Sequence, residues 1–95
     1  MTKKTVMVTK PLHLDALRRL EQEVEILAPF EASRDQILAL LAGVHGVVLG
    51  GVFQMGPQAL DQATRLEVVG RHGVGLDNVD ITAALERRIP VTYTP

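Results

Sequence analysis

The residues best suited to chemistry lie in one short segment, 71–80, with the sequence RHGVGLDNVD. Gly73 and Gly75 flank Val74, and glycine adopts backbone angles that a β-carbon forbids. This freedom lets successive backbone N–H groups point towards one centre and form an anion site. Arg71 adds a permanent positive charge whose forked donors fit a carboxylate or a phosphate. The segment therefore predicts a pocket for a small acid.

The predicted position of this segment in the fold supports the same interpretation. An apolar run at 66–69 predicts a buried parallel strand before it, and Asp80 predicts a helix N-cap after it. Strand-to-helix turns of this kind are where ligands bind in open α/β sheets. A second glycine pair, Gly50 and Gly51, follows the third predicted strand. We expect it to lie at the same edge of the sheet and to form a wall of the pocket.

Short apolar runs and helical stretches alternate along the whole chain. The runs predict five strands, at 5–9, 24–27, 46–49, 66–69 and 90–94. The stretches between them predict four helices, which begin near Pro11, Ser33, Pro57 and Asp80. Alternating strands and helices imply right-handed crossovers and a parallel sheet. The predicted fold is an α/β, flavodoxin-like three-layer domain, with a five-stranded parallel sheet of order 2-1-3-4-5.

Composition narrows the possible classes of protein. The chain has 95 residues, 46% of them hydrophobic, which is typical of one domain with its own core. A net charge of −1 and only three aromatic residues argue against nucleic-acid binding. No apolar stretch matches a membrane span or a signal peptide. The sequence lacks cysteine, which suits the reducing cytoplasm, and that is the expected location.

Several polar residues near the segment have a structural explanation that outweighs a catalytic one. Asp77 and Asn78 are residue types that bond their own backbone in turns, and Asp80 fits a helix cap. The three histidines are dispersed and give no metal-ligand spacing: His13, His45 and His72. We therefore predict no catalytic residue and no metal site in this chain.

Segment 71–80 resembles the corresponding turn of the NAD-dependent D-2-hydroxyacid dehydrogenases, the family that includes 3-phosphoglycerate dehydrogenase. The ending 88–95, RIPVTYTP, is also similar to that family, where a strand ends in Thr-Pro before the chain enters the coenzyme domain. The resemblance implies that residues 1–95 form a single, partial substrate-binding domain, with the Rossmann coenzyme domain absent from this chain. It also implies an oxidoreductase that interconverts a D-2-hydroxy acid and its 2-keto acid with NAD or NADP.

The resemblance also implies roles for the site residues. Backbone N–H groups of Val74 and Gly75 would hold the substrate carboxylate, and Val74 would lie near the nicotinamide. Arg71, Gly50 and Gly51 complete the predicted substrate site. The family often has Arg-Ser where this chain has the glycine pair, and the missing charge disfavours a phosphorylated substrate. The family's catalytic histidine, glutamate and arginine would lie beyond residue 95.

An alternative function stays open. The chain would then be a stand-alone flavodoxin-like module that binds a small anion or a protein without catalysis. The reading frame downstream of Pro95 separates the two hypotheses. We also expect the protein to form a homo-oligomer. In the family a later helix covers this domain, so we expect the isolated piece to self-associate or to be poorly soluble, because an apolar patch left uncovered promotes association.

Overall fold

The computed structural model describes residues 3–50, 53–72 and 79–94, apart from the side chains of His72, Tyr93 and Thr94. The strands are β1 (Thr5–Val8), β2 (Glu25–Leu27), β3 (Gly46–Leu49), β4 (Val68–His72) and β5 (Val91–Thr94). The helices are α1 (Leu14–Glu21), α2 (Arg34–Leu40), α3 (Pro57–Gln62) and α4 (Ile81–Glu86), and a 3-10 turn at Leu41–Gly43 follows α2. The strands form one parallel sheet in the order β2-β1-β3-β4-β5. The predicted fold is confirmed.

Two of the predicted helix starts are confirmed in atomic detail. Before α2, the Ser33 hydroxyl accepts from the Gln36 N–H at 3.2 Å, and the Gln36 side chain accepts from the Ser33 N–H at 2.8 Å. These reciprocal bonds satisfy donors that have no partner inside the helix. Before α4, the Asp80 carboxylate accepts from the Ala83 N–H at 2.9 Å. Asp80 is therefore a structural cap, as the sequence predicts.

The start of α1 differs from its prediction. The helix begins at Leu14, and Pro11 lies outside it. His13 acts as the N-cap: its backbone is extended, with ψ of 141°, and its Nδ1 accepts from the Asp15 N–H at 3.2 Å. Proline at a first helical position would have been compatible with a helix. Here the imidazole cap sets the start instead.

Strand β4 lies later in the chain than predicted. It spans Val68–His72 instead of 66–69, because it pairs with a neighbour on both sides up to its end. Arg71 pairs with Leu49 on β3 and with Tyr93 on β5. Arg71 consequently belongs to a strand and not to the turn that follows it.

The hydrophobic core lies on one face of the sheet, beneath α2, α3 and α4. The strands contribute Met7, Val47, Leu49 and Val69, all at most 2% exposed, to this face. Each such buried side chain contributes about 1.5–3 kcal/mol relative to an exposed one. Because side chains alternate along a strand, the intervening residues point to the opposite side.

That opposite side is less covered. We call it the open face and define it by Val6, Val48, Val68 and Gly70. Helix α1 packs beside β2, at the end of the sheet. Val68 is 38% exposed, and the other three residues are half-buried. Within the described residues, no helix is long and apolar enough to cross a membrane.

Candidate functional site

Three strands end side by side at the carboxyl edge of the sheet, and each brings one residue of interest. Thr9 follows β1, Gly50 follows β3, and Arg71 lies near the end of β4. The Thr9 N–H donates to the Val48 carbonyl at 3.1 Å, so the β1–β3 ladder continues past the last strand residue. This edge contains the point where the chain direction across the sheet reverses, which is the usual ligand crevice of such folds.

Thr9 and Gly50 fix the start of the loop after β3. The Gly50 N–H donates to the Thr9 hydroxyl oxygen at 2.9 Å, and that hydroxyl donates to the Gly50 carbonyl at 2.9 Å. We call this pair of bonds the Thr9–Gly50 clamp. Because the Gly50 N–H is used within the protein, it is not a donor for a ligand. The role proposed for Gly50 as a pocket wall stays a prediction.

Packing around Gly50 explains why glycine is present there. A β-carbon at this position would lie 3.1 Å from both Cβ and Cδ of Lys10. Such contacts are tighter than nine in ten real ones, so the Lys10 side chain would have to shift by a few tenths of an ångström to admit a β-carbon.

Arg71 places its charge on the core face, beside the ends of β3 and β5. It shares this face with Leu49 and Val69, because strand partners and alternate residues point to the same side. The side chain is half-buried, and its Nε atom is buried. A fixed charge in a partly desolvated position attracts an anion more strongly than the same charge in bulk water.

The remaining predicted site residues lie outside the described part of the chain: Gly51, Val74 and Gly75. The Asp77 and Asn78 predictions also fall there. The structure does define both flanks of that segment. Val79 forms a parallel bridge with Met55, and the Asp80 N–H donates to the Met55 carbonyl at 3.0 Å. The residues just before α3 and α4 therefore lie side by side, and the pocket between the two connections stays a prediction.

A cavity of about 250 Å³ opens on the other side of β3 from Arg71. It is lined by Thr9, Pro29, Phe30, Ala32, Arg34, Ile37 and Phe53. The Arg34 Nη1 donates to the Gln54 carbonyl at 3.1 Å, and the guanidinium carbon lies 5.0 Å from the centre of the Phe53 ring. Sequence reasoning missed Arg34 as a site residue, because position in a helix does not show which neighbouring loop a side chain faces.

One described pair of ionisable groups lies at the opposite, amino edge of the sheet. The pKa of Glu67 is lowered from its ordinary value, chiefly by a hydrogen bond from the Lys4 ammonium. Both residues lie at the amino edge of the sheet, before β1 and β4. Among the described residues, no group of three or more histidines and carboxylates is arranged to hold a metal ion.

The sheet order defines the class: an open α/β domain of parallel strands, a fold in which ligands usually bind at the carboxyl edge, where Arg71 lies. The comparison with known families identifies the particular family within this class. The chain belongs to the family described as D-isomer specific 2-hydroxyacid dehydrogenase, catalytic domain, whose model matches residues 6–95. The family resemblance in the sequence is thereby confirmed.

Individual relatives agree with the family match. The chain is 32% identical over 90 residues to a D-3-phosphoglycerate dehydrogenase of Methanocaldococcus jannaschii, and this covers 95% of the chain and 17% of the relative. It is 30% identical over 95 residues to the enzyme of that name from Mycobacterium tuberculosis, which covers all of the chain and 18% of the relative. The chain thus spans less than a fifth of these relatives.

Solved structures give the same fold. A 2-hydroxyacid dehydrogenase from Ketogulonicigenium vulgare superposes with a TM-score of 0.83 at 29% identity, and the match covers 100% of this chain and 30% of that one. An NAD+-bound 3-phosphoglycerate dehydrogenase from Entamoeba histolytica superposes with a TM-score of 0.77 at 20% identity. This match covers 99% of this chain and 33% of that one. The second likeness is at the level of the fold.

Proposed function

We propose that this chain is the substrate-binding portion of an NAD-dependent oxidoreductase that interconverts a D-2-hydroxy acid and its 2-keto acid. The observation that carries the proposal is the family match over residues 6–95 together with the Arg71 cation at the carboxyl edge. Residues 1–95 would then form part of the substrate domain, and the coenzyme domain would be supplied by a further part of the protein. A cytoplasmic location and a homo-oligomeric assembly belong to the same proposal.

The contribution of this chain to the reaction is orientation of the substrate. Arg71 would supply the positive charge that attracts the acid, and the N–H groups of Val74 and Gly75 would hold its carboxylate. Gly50 and Gly51 would form the opposite wall. Two contacts support this arrangement: the Thr9–Gly50 clamp fixes where the first loop leaves β3, and the Met55–Val79 bridge brings together the residues that precede α3 and α4. Correct orientation of two reactants is a large term in catalysis.

The coenzyme would be held mainly outside this chain. NAD supplies the hydride acceptor at its nicotinamide ring. The residues present do not fit its pyrophosphate: the connection between β1 and α1 contains Pro11 and no glycine, and the chain contains no Gly-x-Gly-x-x-Gly pattern. From this chain, only Val74 is proposed to lie near the nicotinamide. No hydride-transfer step is assigned to the residues of this chain.

The test is an assay of the protein encoded by the complete reading frame. Oxidation of NADH is measured at 340 nm with a panel of 2-keto acids, and reduction of NAD with the D and L forms of the matching 2-hydroxy acids. We expect turnover with at least one 2-keto acid and selectivity for the D isomer. Inactivity of a folded, NADH-binding protein on the whole panel would overturn the proposal. A stop codon directly after Pro95 would favour the non-catalytic module instead.

A further inference from the structure

Side-chain hydrogen bonds tie β1 to β3 at both ends of the strand pair, and the tie at the carboxyl end is the Thr9–Gly50 clamp. We infer that Thr9 is a positioning residue for the substrate. Its hydroxyl holds Gly50, the first residue after β3, in the place from which the following loop forms a wall of the pocket. This inference rests on the proposed function and deepens it. Thr9 would act through Gly50 and would not contact the substrate itself.

The bonds of the Thr9 hydroxyl show that it acts on the backbone. The hydroxyl accepts from the Gly50 N–H and donates to the Gly50 carbonyl, both at 2.9 Å. A hydroxyl has a single proton, and here that proton is donated within the protein. One side chain thus holds both backbone polar groups of a buried residue. Loss of the hydroxyl would remove both bonds at once.

Gly50 has no side chain of its own with which to fix the start of the loop. Glycine also loses more conformational freedom on ordering than any other residue. Its position therefore depends on its neighbours, Thr9 and Lys10. The Lys10 side chain packs against it without a directional bond, whereas Thr9 supplies two hydrogen bonds. A loop start that is already ordered lowers the entropic cost of binding a substrate.

The clamp lies where the ligand crevice of this fold opens. Strands β1 and β3 are neighbours, and the chain continues from β1 to β2 on one side and from β3 to β4 on the other. Ligands bind at the carboxyl ends of strands that diverge in this way. The Thr9 backbone is itself fixed there, because its N–H donates to the Val48 carbonyl at 3.1 Å. The clamp therefore transfers the rigidity of the strand pair to the first residue of the loop.

The amino end of the same strand pair has a comparable tie, which provides a control. The Thr5 N–H donates to Nδ1 of His45 at 3.0 Å, and the His45 N–H donates to the Thr5 carbonyl at 2.8 Å. His45 directly precedes β3 and is half-buried. This tie joins the same two strands at the edge opposite the proposed site. Its loss should lower stability without affecting substrate binding.

The experiment is steady-state kinetics of the protein from the complete reading frame, with the 2-keto acid that it reduces best. T9V keeps the shape of the side chain and removes the hydroxyl. It should raise KM about tenfold, as expected for the loss of two hydrogen bonds. We expect kcat to stay within about twofold, because the bound loop reaches the same arrangement. T9S keeps the hydroxyl and should have a KM close to that of the wild type. T9C has a weakly bonding thiol and should lie between T9S and T9V; it carries the test if T9V does not fold.

The matched control is H45A, which removes the imidazole acceptor at the amino end. Thermal unfolding of every variant is measured alongside the kinetics. T9V and H45A should both lower Tm, whereas only T9V should raise KM. The inference is overturned if T9V leaves KM unchanged, if H45A raises KM as much as T9V does, or if T9S is no better than T9V. Inactivity of the wild type on every 2-keto acid would refute the proposed function, and this inference with it.

Discussion

Arg71 combines a permanent charge with a position inside a strand, and both properties bear on the proposed substrate site. We expect R71K to raise KM for the 2-keto acid about tenfold, because lysine keeps the charge but lacks the planar fork that binds a carboxylate bidentately. The measurement is steady-state kinetics of the protein from the complete reading frame. R65K is the control, since Arg65 is exposed and follows α3 at the amino edge of β4. Equal KM values for R71K and wild type would refute direct contact of Arg71 with the substrate.

Glu67 offers a test of the electrostatics far from the site. Lys4 lowers its pKa below the ordinary value of 4.5, chiefly through their hydrogen bond. The stabilisation from this pair is therefore present above about pH 4.5 and is lost as the pH falls through the folded-state pKa. We expect K4Q to raise the pKa of Glu67 towards 4.5 in an NMR titration of its carboxyl carbon. K3Q should leave it unchanged, because the Lys3 ammonium donates to the Glu21 carbonyl.

Single residues also show what sequence alone can and cannot predict. Ser33 and Asp80 were predictable as caps, because the donors they satisfy lie three residues away along the chain. Arg71 was predictable as a cation at the carboxyl edge of the sheet, although it lies in β4 and not in the turn. Arg34 was not, because its contacts with Phe53 and Gln54 join residues about twenty positions apart. Long-range contacts of this kind depend on tertiary packing.

Helix α4 ends in an unusual residue that affects its stability. Arg88 has a left-handed backbone with φ of 59°, and the Ile89 N–H donates to the Ala84 carbonyl at 2.9 Å, as in a Schellman motif. A residue with a β-carbon costs about 1–2 kcal/mol in this conformation, whereas glycine costs only backbone entropy. We expect R88G to raise the free energy of unfolding by about 0.5–1 kcal/mol.

Urea denaturation of the 95-residue chain measures this change. The control is E86G, placed two positions earlier within α4, where glycine should lower stability by a similar amount, about 0.5–1 kcal/mol. A drop in stability for R88G would show that the Arg88 side chain contributes more than its strained backbone costs.

At the level of elements, the types and order of strands and helices were predictable, but some boundaries were not. Strand β4 is displaced because its pairing with β3 and β5 continues through Arg71, and a single sequence does not show how far two ladders extend. Helix α1 begins late because His13 caps it through an imidazole nitrogen. Histidine is not among the common N-cap residues, so the pattern gave no signal there.

In the whole molecule, α2, α3 and α4 cover the core face of the sheet, whereas the open face is only partly covered. This unequal coverage predicts association. Val6, Val48 and Val68 are apolar and at least partly exposed on the open face. We expect the 95-residue chain to self-associate as its concentration rises, measured by sedimentation velocity. V68K should reduce association, because it places a charge on that face. L85K is the control, because Leu85 is 65% exposed but lies on α4, which covers the core face and not the open face. A monomer at all concentrations would contradict this prediction.

The topology of the whole sheet could be predicted, because right-handed crossovers leave few arrangements for alternating strands and helices. Unequal coverage of the two faces follows from the same rule. Crossovers from β2 towards β5 place three helices on one side, and the single step from β1 to β2 places one helix on the other. The extent of exposure at Val68 depends on how far α1 reaches over the sheet, which the sequence does not specify.

The one-sided core has a consequence for the order of events during synthesis. Its described buried residues run from Met7 to Ile89, so the core joins residues from nearly the whole segment. Domains generally fold as units while translation proceeds. In the proposed full-length enzyme, this core would therefore close only after Ile89 has left the ribosomal exit tunnel. It would then present a folded surface against which later segments of the protein pack.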